Sequence, residues 1–262
     1  MKLHLAASLL AVDLIACGGG KTATKVVDDH RAAAAPILAQ LAALAPVADK
    51  APPVTENKLD VPAGVKLDFG FTASSRHNSS VVYLPRMTAP CDAAMMWPKD
   101  PSSAKTISFG APLEHADLWV RDPACALRGD RPPSGDDAEL LEERFQKLEA
   151  TRYVLVIKPT TMIHPAITAL TDAEWERVKG GDYAAGGKNT FTPGKLAGEA
   201  RLYELATQKP LGGFTFSFES APKVKVTGSD QTESLGIALT QDAGFGIMDL
   251  LTKLAPGTEI RI

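Results

Sequence analysis

The chain has 262 residues and carries 28 Lys and Arg against 31 Asp and Glu, a net charge of -3, with 45% hydrophobic residues and 3 cysteines. That length supports a sizeable core in one large domain or two small ones. The balanced charge and the lack of a basic run exclude a surface built for nucleic acid.

The first stretch with a choice of meanings is Gly18-Gly19-Gly20-Lys21-Thr22. It ends like a phosphate-cradling loop, but such a loop needs a glycine five positions before the Gly-Lys-Thr glycine so that backbone amides wrap the anion. Ile15 occupies that position, and the residues before it are Met1-Lys2-Leu3-His4 and an apolar run from Leu5 to Leu10. A lysine, a short apolar segment and small residues before a cut site are what an export signal requires, here residues 1–16. The run is too short for a permanent anchor, which needs about twenty apolar residues.

Leu14-Ile15-Ala16-Cys17 resembles the lipobox of bacterial lipoproteins at every position: an aliphatic residue, a tolerated second residue, a small residue and a cysteine. The resemblance covers only the first seventeen or so residues. It implies cleavage before Cys17 and acylation of Cys17 on its thiol and new amino terminus. Gly18, in place of the aspartate that holds such proteins in the inner membrane, implies the outer membrane. Asp13 departs from the pattern by placing a carboxylate in the apolar segment, at about 2 to 3 kcal/mol near a helix centre, which lowers processing efficiency. With Cys17 acylated, Cys91 and Cys125 remain as an even pair, expected to form one disulfide in an oxidising compartment. In the chain-entropy model that bridge stabilises by roughly 3 to 4 kcal/mol. No CxxC spacing suggests a redox motif or a zinc knuckle, and no later apolar segment is expected to cross the membrane.

After the cleavage site, residues 17–24 read as a lipidated tether and residues 25–50 as a helix, with Ile37, Leu38, Leu41 and Leu44 on one face. Pro36 should bend it, and it should end before Pro46. The helix is expected to pack on the domain rather than lie on the membrane. Residues 51–62, with Pro52, Pro53 and Pro62, read as a linker to a single globular domain over 63–262. From Val65 to Asp130 the reading is irregular β structure around Val81–Leu84 and Leu118–Val120, with Met95 to Trp97 as core.

Ser134, with Asp137 near it, should cap a helix carrying the stripe Leu141, Phe145 and Leu148. Tyr153–Ile157 is continuously apolar, as suits a central strand buried on both faces. Thr171 and Glu174 have capping-box spacing for a short helix through Trp175 and Val178, ended by Gly180 and Gly181. The glycine-rich chain from there to Gly198 reads as a surface excursion.

Arg201–Leu205 and the alternating Phe214, Phe216 and Phe218 form a hairpin around Thr207–Pro210. It resembles a common hairpin element of secreted β-rich proteins in which the residue at Gln208 is usually glycine. A helix from Asp230 offers Leu235, Leu239, Met248 and Leu251 to the sheet, although Gly236, Gly244 and Gly246 weaken it by up to about 1 kcal/mol each. Glu259–Ile262 adds a short edge strand. The fold class is α+β: an antiparallel β-meander covered by helices, with an irregular β-rich middle segment.

The chain has no GxSxG elbow, HExxH helix or GxGxxG turn. His164 after the central strand, with Ser229 elsewhere, is the basis of a membrane-anchored hydrolase reading. His115 and Asp117 alternate as ligands on a strand would, but two residues do not make a metal site. Trp97, Trp119 and Trp175 stand in apolar contexts and read as core rather than a sugar platform. The sequence therefore favours a noncatalytic, lipid-anchored envelope protein with no cofactor or metal, presenting its domain to another envelope protein.

Overall fold

The computed structural model describes residues 21–70, 77–87, 113–129, 138–169, 189–220 and 231–261. Its first element, α1 (Ala23–Lys50), starts at Thr22, whose hydroxyl accepts from the Lys25 amide at 3.3 Å. The helix runs through Pro36 and past Pro46, where the sequence suggested a break and a stop. A proline inside a helix costs about 3 kcal/mol. Both prolines are exposed, however, while Ala34, Leu41, Leu44, Ala45 and Ala48 are buried on the opposite side. Packing of that face holds the helix together across the two missing amide donors.

β1 (Lys58–Leu59) lies inside the stretch read as a linker, and β2 (Lys66–Asp68) follows it. β3 (Ser79–Tyr83) is buried throughout and leads into the single turn α2 (Leu84–Met87). α3 (Leu113–Arg128) corrects the expectation of a strand at Leu118–Val120. The β tendency of three residues is weak and depends on what they pack against; here the neighbours are α1, α4 (Ala138–Ala150) and β3. On α4, Leu141, Phe145 and Leu148 form the buried stripe anticipated from their spacing.

The centre of the molecule is a five-stranded mixed sheet in the order β1-β8-β7-β4-β3. β4 (Tyr153–Ile163), β7 (Lys195–Glu204) and β8 (Lys209–Glu219) make the antiparallel meander, β3 runs parallel to β4, and β1 pairs antiparallel with β8. The β4–β7 register slips between Pro159 and Thr161, where proline has no amide to donate. In the β7–β8 turn Gln208 has φ 55°, the left-handed conformation that glycine adopts at no cost.

Strands β3, β4 and β7 each feed two cores. Val154 and Val156 of β4 join α1 and α4, whereas Leu155 and Ile157 face the opposite side with Phe214 and Phe216 of β8. That second side is covered by α5 (Gln231–Leu254), through Leu235, Leu239, Met248 and Leu251. The result is an α+β fold in which helices cover both faces of the meander.

Two smaller pairings complete it. β5 (Ala166–Ala169) pairs antiparallel with β6 (Asn189–Thr192), so part of the expected surface excursion is strand. β9 (Glu259–Arg261) pairs parallel with β2. The anticipated caps at Ser134, Asp137 and Asp230, the short helix at Thr171–Val178 and the core segment Met95–Trp97 lie outside the described residues.

Candidate functional site

A cavity of about 270 Å3 lies between α1, α2, α3 and β3. Its lining includes buried Leu41 and Val82, half-buried Leu38 and Met87, and exposed Ala42 and Arg128. α3 contributes Val120, Arg121, Ala124 and Leu127. The helical repeat explains this set, because residues three, four and seven apart project from one side of a helix. The wall is thus aliphatic, with two guanidinium groups carried on α3. Such a cavity can hold an apolar group, while its polar features fix orientation.

α1, which contributes Leu38, Leu41 and Ala42 to this cavity, is fastened to α4 by a charged cluster. His30 of α1 places Nδ1 2.6 Å from Glu149 Oε1 and Nε2 3.2 Å from Glu142 Oε1. Its ring stacks on Phe145 with centroids 5.1 Å apart. Lys21 reaches the same Glu142 at 3.0 Å. Burial opposes the charge on His30, but the hydrogen bonds to Glu149 and Glu142 outweigh it and raise the pKa above the ordinary value. Both ring nitrogens face carboxylates, so the cluster is satisfied by an imidazolium that donates twice. Glu142 is held below the usual carboxylate range, first by its hydrogen bond from Lys21 and then by that from His30.

A second histidine sits at the C-terminal end of α4, beside Thr151, in a different environment. His77 is 6% exposed; its Nε2 lies 3.2 Å from Ser80 Oγ and 3.5 Å from Thr151 Oγ1. The two hydroxyls are 2.8 Å apart, and Thr151 also donates to the Lys147 carbonyl at 3.0 Å. Burial, then the charge of Lys147, pushes the His77 pKa down to about 4 against an opposing hydrogen bond with the Phe69 backbone. Ser80 and His77 have the spacing of a nucleophile and its base, but the hydroxyl is 0% exposed and the imidazole is neutral and weakly basic. The group joins β3 to the end of α4 and to the loop at Gly70, whose carbonyl accepts from Lys147 at 3.2 Å.

The residues singled out in the sequence fare unevenly. Cys17, Cys91, Ser229, Trp97 and Trp175 lie outside the described residues. Cys125 is buried on α3, within reach of Arg128 Nη2 at 3.7 Å. His164 stands half-buried between β4 and β5, its pKa lowered by burial. His115, Asp117 and Trp119 are on a helix, so the strand-like alternation proposed for His115 and Asp117 does not occur. Among the described residues no group of three His, Cys, Asp or Glu is placed to hold a metal.

No known protein family matches the chain, and no characterised protein matches it in sequence. The cavity, His30 and His77 were not found by motif reasoning, since each draws its members from segments far apart in sequence. The one legible signal was the apolar stripe containing Leu38 and Leu41.

Proposed function

We propose that this chain is a lipid-anchored protein of the bacterial envelope, acylated on Cys17 and held at the outer membrane, whose α+β domain binds rather than transforms its target. The observation that carries this reading is the lipobox-like Leu14-Ile15-Ala16-Cys17 placed directly before a helix that belongs to the core. Only Gly18 to Lys21 separate Cys17 from the N-cap Thr22, a span that reaches roughly 17 Å when extended. Because Val26, Val27 and Ala34 are buried in the domain, an acyl group on Cys17 would keep the whole domain beside the bilayer.

α1 is also long and apolar enough to cross a membrane by length and composition, unlike the sequence expectation for any segment beyond the signal. Its buried face argues for the soluble role: Leu41 and Leu44 pack into the same cluster as Phe145 and Val156. A target held close to the membrane by this domain would be another envelope protein or a molecule accommodated by the fold. A disulfide between Cys91 and Cys125 belongs to the same proposal, as the oxidising side of the membrane would favour it.

The test is the intact mass of the protein recovered from bacterial membranes, with and without reduction and alkylation. The expected species begins at Cys17, carries a diacylglyceryl group and takes up alkylating agent at Cys91 and Cys125 only after reduction. A chain that retains Met1 to Ala16 with three alkylated thiols would overturn both the anchor and the compartment. Crosslinking in intact cells should then recover an envelope partner above background.

A further inference from the structure

We infer that the groove between the C-terminal end of α1 and the start of the β7–β8 hairpin binds an extended, proline-rich segment of a partner protein that carries a carboxylate. The inference gives chemistry to the partner in the binding reading above and rests on that reading only for where the partner resides.

The groove has a volume of about 670 Å3. Its lining includes exposed Pro46, Val47, Pro52 and Pro210 together with buried Tyr203, which stands opposite Pro210 in the β7–β8 register. Tyr203 is 1% exposed, and its hydroxyl has no hydrogen-bond partner among the described residues. Such a hydroxyl has lost water without gaining a protein acceptor, a penalty that an acceptor brought by a ligand removes. Burial raises its pKa, so the hydroxyl keeps its proton and can donate.

Charge narrows the choice. Arg201 is already engaged: its guanidinium donates to the Pro52 carbonyl and lies 3.3 Å from Glu199 Oε2, while Glu199 Oε1 accepts from the Val54 amide at 3.2 Å. These bonds tie the segment after α1 to β7, so the groove is built into the fold. Lys50, in the last turn of α1, is exposed and forms no ion pair among the described residues, the carboxylates of Asp49 and Glu199 being taken by Lys158 and Arg201.

The side-chain groups left to a ligand are therefore a buried hydroxyl and an ammonium that can only donate. A matching ligand presents acceptors, carbonyl groups and an anion, with few donors of its own. Proline-rich chain does this, since proline has no N–H, and it is already extended before it binds, so little freedom is lost. A segment of chain fits better than a small anion. Small-molecule sites bury roughly 70 to 90% of their ligand, whereas most of this lining is exposed.

The experiment measures fluorescence anisotropy of a labelled, end-capped Pro-Pro-Pro-Glu-Pro-Pro-Pro peptide with the full chain carrying Cys17→Ser, which removes the acylation site and the need for detergent. Saturable one-to-one binding is expected, about fivefold tighter than for the peptide with Gln in place of Glu, and weakest with Lys there. Replacing the prolines by alanines should weaken binding about tenfold. Tyr203→Phe should weaken it about fivefold and leave the urea midpoint unchanged or higher, because the hydroxyl it removes has no partner in the fold. Lys50→Gln should bring the preference for Glu over Gln to near unity and leave binding of the Gln peptide as it was.

No saturable binding, equal binding of the proline and alanine peptides, undiminished binding by Tyr203→Phe, or a Glu preference that survives Lys50→Gln would each overturn the proposal. Pivalate binding as tightly as the peptide would also overturn it, by assigning the groove to a small carboxylate. Should Tyr203→Phe fail to fold, the surface change Lys50→Gln still decides the matter. Since the Cys17→Ser chain cannot be acylated, failure here leaves the anchor reading untouched, and failure of the mass measurement leaves the peptide result untouched.

Discussion

The imidazole of His30 on α1 lies parallel to the ring of Phe145 on α4, with an interplanar angle of 11°, while both its nitrogens face carboxylates. A residue that stacks on one side and donates at both edges fixes the rotation of α1 about its axis as well as its distance from α4. The side of α1 turned toward the cavity follows from that contact.

The pH dependence of this clamp has a definite sign. His30 has a raised pKa in the folded chain, so its contribution is full below the unfolded value of 6.5 and is lost as pH rises through the folded pKa. His30→Leu should therefore destabilise the protein by about 1 to 2 kcal/mol in mildly acidic buffer and by less in alkaline buffer. Urea melts of both proteins across that range would show the two curves converging at high pH. Parallel curves would mean that the imidazolium contributes nothing.

His77 has the opposite sign. Its pKa falls from 6.5 to about 4 on folding, so the unfolded chain binds the extra proton between those values. Stability due to His77 is complete above 6.5 and declines as pH falls toward 4, by roughly 3 kcal/mol in all. A proton-resolved titration by NMR should find the His77 ring neutral at pH 5 and the His30 ring charged. His77→Phe should flatten the acid limb of the stability curve while lowering stability at neutral pH, because Ser80 and Thr151 lose a partner.

Gly70 is required twice over. Its φ is +65°, and an added Cβ would stand 2.7 Å from Nδ1 of the buried His77. Asp68 also accepts from the Gly70 amide at 2.9 Å, which holds the backbone in that conformation. Gly70→Ala is expected to cost about 1 to 3 kcal/mol, measured as a shift in the denaturation midpoint at unchanged slope. The same change at Gly64, whose φ is also positive but which has open space around it, should cost less.

The β7–β8 turn offers a gain instead. Gln208 holds φ 55° with a side chain that pays for left-handed geometry. Gln208→Gly should raise stability by about 0.5 to 1 kcal/mol, visible as a higher melting temperature. A lower melting temperature would show that the Gln208 side chain contributes more than the backbone relief.

Some of these relationships were readable from the chain and others were not. The period-two alternation of Phe214, Phe216 and Phe218 implied one apolar face, and in the fold Thr215 and Ser217 are exposed on the other. Tyr153–Ile157 implied burial on both faces, which the two cores on either side of β4 provide. Gly246 is the reverse case: read by propensity, it weakens a helix. In the fold a Cβ there would come within 2.1 Å of the Phe218 ring, so the missing side chain is what lets α5 approach the sheet.

Local periodicity and composition determined by themselves the α+β class, the meander strands, the α4 stripe and the lipobox-like start, because each is written in residues within one or two turns or strands of one another. Tertiary structure decided that α1 continues through two prolines, that Leu118–Val120 is helix, and that His30 meets Glu142 and Glu149 across 112 and 119 positions of sequence. Those outcomes depend on burial against distant segments, whose stabilisation exceeds the local preference of any short run and leaves no periodic trace in the chain.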